Sequence, residues 1–280
     1  MDFKPMRKDV RIAAAPMHCP LWESDRNLQS VDAYAKEARI CGAEVLVLPE
    51  MTLTGYCASE PLPKALERDG REYQALSEIA RSRRLTVLAG LAEVGPRGNK
   101  YATHLACFPD GRVFFHRKTH LSTVEEAWLT PGSELPVFRN SHYAFGIQLC
   151  YEAHFPELTT NMALAGAHIL FIPHASPRGT PQEKEESWLR HLTARAYDNG
   201  LYVAAVNQSG ENQAGLSFPG VALVLDPLGR VEARLQGGEG LLIADLRADL
   251  INQVRSHRMT SFLSRRRPEV YSRKVLKHNI

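Results

Sequence analysis

Apolar positions in this chain gather into short, nearly unbroken runs, separated by longer stretches in which they recur every third or fourth place. VRIAAAPM (10–17), EVLVLPE (44–50), LTVLAGLAEV (85–94), FGIQL (145–149), HILFIP (168–173) and LYVAAVN (201–207) are runs of the first kind, the pattern of strands covered on both faces. Polar segments with helical spacing lie between them, around residues 26–41 and 63–83. YATHLACF (101–108) and VFFHRK (113–118) flank a PDGR turn, where Asp-Gly marks a hairpin. The best-punctuated helix starts at Thr180-Pro181: Thr180 and Glu183 fit a capping box, Pro181 the first helical position and Asn199-Gly200 the stop. Trp188, Leu192 and Ala196 repeat along its inward face. GVALVLDPLGR (220–230) and GLLIADL (240–246) add further strands.

Strands alternating with helices predict a layered α/β sandwich with helices outside. We read residues 1–280 as a single domain, with 256–280, polar and basic, as a C-terminal arm. No GxGxxG and no P-loop occurs, which removes support for a nucleotide-binding member of that class. A hydrophobic share of 44% and a charged share of 23% are ordinary for a globular protein. A net charge of +3 is too mild to point to nucleic acid. No apolar run approaches the ~18 residues of a membrane span, and the N-terminus lacks the apolar core of a signal peptide. The five cysteines, Cys19, Cys41, Cys57, Cys107 and Cys150, form no regular framework, which favours a reducing cytoplasm.

Candidate chemistry starts at FGIQLCYEAHFPEL (145–158). Cys150 falls where the strand gives way to a helix opened by Pro156, a turn that can hold a thiol clear of the sheet near helix amides. Cysteine is also a small core hydrophobe. A nucleophile needs a base and an oxyanion partner. Glu50 ends VLVLP, where partial desolvation would raise its pKa toward that of a base; a solvated rim residue is the alternative. Lys118 ends VFFHRK on the face of Phe114 and His116; surface charge is its alternative. His104, His116 and His120 form no short metal-binding motif, so metal is expected to play no part.

Three segments carry a resemblance: LPEMTLTGY (48–56), HRKTHL (116–121) and CYEAHFPE (150–157). In this order they resemble the signatures of the nitrilase, or carbon–nitrogen hydrolase, superfamily, and the likeness runs through nearly the whole chain. It implies a four-layer αββα sandwich, a homodimer or larger homo-oligomer, and no cofactor. It also implies Glu50 as general base, Lys118 as oxyanion-stabilising residue and Cys150 as the nucleophile that forms a thioester. The Tyr151 amide would share the oxyanion hole. Glu125, seven residues before Gly132 in EEAWLTPG, would support Lys118, although a solvated acidic pair with Glu126 reads as well. His154 and Ser176 would line the substrate pocket, and Glu152 and His154 read equally as scaffold. The implied reaction is hydrolysis of a small amide, with an N-carbamoyl hydrolase or nitrilase as the alternative and an inactive interaction protein as the reading of another class. Tyr151 in place of Trp favours an amidase over a nitrilase. Glu-Ala-His after the cysteine departs from the arginines of carbamoyl hydrolases, and Gly220-Val221-Ala222 departs from a common Gly-x-Ser.

Overall fold

The unbroken runs become strands of two sheets packed back to back. The computed structural model describes residues 4–57, 65–67 and 69–271. In the first sheet Val10–Ala14, Val45–Val47 and Thr86–Val94 run parallel. Leu242–Leu246 flanks them antiparallel on one side, Lys100–Cys107 and Val113–Arg117 on the other. The second sheet repeats the plan: Ala144–Ile147, Ile169–His174 and Tyr202–Glu211 are parallel, and Val221–Leu225, Val231–Gln236 and Val137–Arg139 add antiparallel edges.

Helices α1 (Ser24–Ile40) and α2 (Arg71–Arg83) cover the first sheet, and α3 (Pro156–Leu164) and α4 (Pro181–Asn199) the second. Period-two alternation divides each run between two cores. Ile12, Ala14, Val45 and Val47 meet Phe145, Ile147, Ile169 and Phe171 between the sheets. Their neighbours Ala13 and Leu46 turn outward onto Leu28, Val31 and Ala35 of α1, while Leu170 and Ile172 meet Trp188 and Leu192 of α4. Both faces of each central strand are thus dry, at about 1.5–3 kcal/mol of favourable burial per large side chain. The chain is an αββα sandwich, as the family resemblance implied.

Helix α4 is punctuated as its sequence reads. Thr180 Oγ1 accepts from the Glu183 amide at 3.2 Å, the Glu183 carboxylate accepts from the Thr180 amide at 2.8 Å, and Gly200 stops the helix at φ +52°. The expected helix at 63–83 is shorter: α2 starts at Arg71, and Leu66–Glu67 instead pairs with Glu93 and Val94. Gly70, extended at the N-cap, separates the two. Residues 63, 64 and 68 of that expectation lie outside the described residues. After helix α5 (Ala248–Ser256), the expected C-terminal arm contributes Leu263 as its one buried side chain among the described residues, to the core under α4. Its residues 272–280 lie outside the described residues.

Candidate active site

Three strand ends converge on one buried lysine. Lys118 follows directly on Val113–Arg117, its amide bonded to the Ala102 carbonyl and its carbonyl accepting from the Gly132 amide at 2.7 Å. Gly132 is required there, because a Cβ would collide with the Arg117 carbonyl. The Lys118 ammonium donates to Glu50 Oε1 at 2.9 Å and to Glu125 Oε1 at 2.7 Å, and all three side chains are shut off from solvent. Burial works against the charge on Lys118, but Glu50 and Glu125 outweigh it and hold the ammonium well above its ordinary range.

Glu50 stands at the mouth of Val45–Val47. Its Oε2 accepts from the Ala175 amide at 3.2 Å, and its carbonyl accepts from Gln208 Nε2 at 2.8 Å. Burial pushes its carboxyl up to about 7, against the pull of Lys118 and with a further push from Glu125. Glu125 is fixed by the Ser122 amide and hydroxyl, at 2.8 and 2.9 Å on Oε2. Its neighbour Glu126 faces solvent. Of the acidic pair, Glu125 is therefore the one that reaches the lysine.

Cys150 follows Ala144–Ile147 and opens a single turn, Cys150–His154, ahead of α3, with Pro156 at the first position of that helix. Its φ of +42° is left-handed, which is strained for a residue with a Cβ and is the geometry of a nucleophile elbow. Burial raises the thiol to about 12; Glu50 and Glu125 add to the rise, while Lys118 and Lys184 oppose it. Burial and the carboxylates outweigh the two lysines, so the resting sulfur keeps its proton. For such a thiol to act as a nucleophile, a neighbouring base would have to remove its proton.

Glu152 ties the elbow to the lysine strand. It is completely buried and accepts from the Leu149 amide at 2.6 Å, the Thr119 amide at 2.7 Å, the Thr119 hydroxyl at 2.6 Å and His116 Nε2 at 2.8 Å. Thr119 and Leu149 are the direct neighbours of Lys118 and Cys150. Burial alone would raise the Glu152 carboxyl, but His116 and these hydrogen bonds bring it down to about 2.

The remaining expected residues are distributed around the elbow. Tyr151 and His154 are exposed, with rings 5.7 Å apart, and His154 also lies 4.6 Å from His191 of α4. Ser176 sits one residue beyond Ala175; its amide and carbonyl are both held by the Asn207 side chain, and its hydroxyl accepts from Lys184 Nζ at 2.7 Å. Gln208, Ser122, Asn207 and Lys184 were not legible as site residues. Each acts across the fold or beside a turn with no motif of its own. Among the described residues no group of His, Cys, Asp and Glu side chains is arranged to hold a metal ion, and no helix is long and apolar enough to cross a membrane.

A carboxylate, a cation and a thiol meet at one sheet mouth, and the chain resembles known carbon–nitrogen hydrolases. The carbon-nitrogen hydrolase family profile matches residues 11–256. A 2-oxoglutaramate amidase of Bacillus subtilis is 33% identical over 73% of this chain and 78% of its own. An omega-amidase of Danio rerio is 29% identical over 94% of this chain and 96% of its own. Among solved structures, an amidase from Nesterenkonia sp. superimposes with a TM-score of 0.79 at 27% identity, over 96% of this chain and 97% of that one. A Glu-to-Gln mutant of that amidase, showing covalent addition of the acetamide moiety of fluoroacetamide at the active-site cysteine, superimposes with a TM-score of 0.80 at 26% identity, covering 97% of this chain and 98% of that one. This chain belongs to the carbon–nitrogen hydrolase family.

Proposed function

We propose that Cys150 cleaves the C–N bond of a small carboxamide through a thioester. Glu50 takes the thiol proton as sulfur bonds to the carbonyl carbon. The oxyanion so formed is met by the Lys118 ammonium and the Tyr151 amide. Glu50 returns its proton to nitrogen as the C–N bond breaks and ammonia leaves. A water molecule, deprotonated by Glu50, then attacks the thioester; the C–S bond breaks, the carboxylic acid departs and the thiol is reprotonated. Glu125 keeps Lys118 aimed and accepts from the substrate amide nitrogen. The observation that carries this reading is the Lys118 ammonium shared between two buried carboxylates beside a strained cysteine.

Purified wild type and Cys150→Ala, offered small amides, carbamoyl compounds and nitriles, provide the test. Ammonia from amides with the wild type alone, and an acyl adduct on Cys150 in quenched samples, are expected. Carbon dioxide released with the ammonia would move the assignment to carbamoyl hydrolysis, and turnover of nitriles alone to a nitrilase. Silence across the panel, with a folded protein whose Cys150 resists alkylation, would leave only the inactive-relative reading.

A homodimer is proposed as well. Tyr197 on α4 and Phe262 beyond α5 are exposed apolar rings 5.4 Å apart, a patch suited to a second copy. Cys19, Cys41, Cys107 and Cys150 form no disulfide among the described residues, which suits a reducing cytoplasm.

A further inference from the structure

At the end of the second sheet remote from Cys150, α5, the chain beyond it and the N-terminal segment enclose a cavity of about 650 Å³. Hydrogen bonds fix its walls. The Asn252 side chain of α5 accepts from the Met6 amide at 3.0 Å and donates to the Met6 carbonyl at 2.8 Å, and His168 donates to the Lys4 carbonyl at 2.8 Å. On the other side Thr260 Oγ1 donates to the Val254 carbonyl at 2.8 Å, and Leu263 is buried under α4. Arg255 ties the cavity to the sheet: its guanidinium donates to the Gly200 carbonyl at 2.8 Å and to the Ala167 carbonyl at 2.5 Å, just ahead of Tyr202–Glu211 and Ile169–His174. Glu50 lies at the opposite, carboxyl end of these parallel strands, on the Ala175 amide that follows His174. A six-residue strand puts about 20 Å between its two ends.

The lining is cationic. Lys4, Arg255, Arg258 and Arg265 line the cavity together with His257, and no acidic side chain among the described residues does. Lys4, Arg258 and Arg265 form no ion pair among the described residues, whereas Arg267, two places on, pairs with Glu269 at 2.8 Å. Asp198 lies on an adjoining groove that Arg265 also lines, without an ion pair to it. Burial lowers the Arg255 pKa to about 10. These four charges exceed the net charge of the whole chain, +3, so the rest of the molecule is slightly acidic and positive potential is concentrated here. The dipole of α5 accounts for Arg255 in its last turn. Arg258 and Arg265 lie beyond that turn, and Lys4 comes from the other end of the chain. Like charges repel, and cations free to move would spread apart. Cations gathered around one hollow by a fixed backbone call for a counter-charge from outside.

We propose that this cavity is a second ligand site, separate from the amide site, which binds a small soluble anion carrying two linked phosphate groups. Arginine forks match phosphate oxygens in pairs, and the volume falls in the range of small-molecule pockets. Four cations call for a ligand of three or more charges. A dicarboxylate brings two, a single phosphate group at most about two near neutrality, and a pyrophosphate group more. The hydroxyls of Ser256, Ser261 and Ser264 on the same walls supply neutral donors. Phe262 of the proposed dimer patch lines the adjoining groove and not this cavity, so the two are distinct surfaces. The proposal does not depend on the amidase reading.

Isothermal titration calorimetry of the full chain with inorganic pyrophosphate is the test, with inorganic phosphate, succinate and vesicles containing phosphatidic acid as comparisons. Saturable binding of pyrophosphate is expected, tighter than that of phosphate or succinate and weakening as salt rises. Arg258→Gln combined with Arg265→Gln should weaken it by at least about tenfold, the loss for a hydrogen bond to a charged group. Both side chains are exposed, so ammonia release and melting temperature without pyrophosphate should not fall in that variant. Cys150→Ala should bind pyrophosphate as the wild type does, and so should Arg26→Gln, which removes an exposed cation elsewhere. No saturable binding, equal binding of succinate, full affinity in the double variant or loss of binding in Cys150→Ala would each overturn the proposal. Binding to the vesicles alone would also overturn it, by assigning the cavity to a membrane headgroup.

Discussion

At the scale of single residues, the site is a problem in placing charge. As the proposed base, Glu50 must be ionised to take a proton yet basic enough to want one, and burial brings its carboxyl to about 7. A carboxylate base loses activity as it is protonated, so kcat/KM should fall as pH drops through about 7, and a pH–rate profile reads this directly. An acidic limb near the ordinary glutamate value of 4.5 would assign the base elsewhere. Glu50→Gln should cost about 10²–10⁴-fold in kcat, the usual share of general-base catalysis. Lys118 is held charged well above its ordinary range, so it adds no alkaline limb near neutrality. Lys118→Met should lower kcat about 10²–10³-fold, as loss of an oxyanion donor does. It should also destabilise the fold by about 3–5 kcal/mol, because Glu50 and Glu125 would then face each other buried and without a counter-ion; urea unfolding measures that cost.

Among elements, the site depends on bridges between strand ends that are far apart in sequence. Glu152 is the clearest, with four donors drawn from the elbow, Thr119 and His116. Its carboxyl is depressed to about 2, so it contributes stability that is present above the ordinary value of 4.5 and is lost as pH falls through about 2. Glu152→Gln should flatten the acid limb of stability in that window, as followed by chemical denaturation at several pH values. Glu152→Ala, which strips the acceptor from buried amides, should cost about 2–5 kcal/mol and lower kcat by loosening Lys118 against Cys150. Gly90 makes a second bridge: a Cβ there would lie 2.6 Å from the Met51 nitrogen and 3.3 Å from the Glu50 carbonyl carbon. Gly90→Ala should therefore cost about 1–3 kcal/mol by overpacking and reduce turnover by shifting Glu50, with melting temperature and kcat as paired readouts.

For the whole molecule, the proposed pairing through Tyr197 and Phe262 predicts that Tyr197→Glu with Phe262→Glu shifts light scattering from dimer to monomer. A dimer that survives both changes would place the interface on another face. Much of the architecture was already readable in the chain. The runs at 10–17, 44–50 and 168–173 declared strands dry on both faces, and Thr180, Pro181, Glu183 and Gly200 marked both ends of α4, because strand periodicity and helix caps depend on residues within a few places of one another. The same locality explains the errors. Leu66-Glu67 joined a sheet through Glu93 and Val94, partners that no window around residue 66 contains. Glu50, Lys118 and Cys150 were found through their motifs, but their convergence on one ammonium was not visible locally. The choice of Glu125 over Glu126 was likewise invisible, as were Gln208 behind Glu50 and the inward turn of Lys184 within the polar run QEKEE. By itself, then, the sequence determined the type and ends of most elements and the chemical identity of the carboxylate, cation and thiol that the proposed reaction uses. Only the tertiary structure decided which strand ends meet and which charges are buried together, since those follow from packing two sheets whose contacts link residues far apart along the chain.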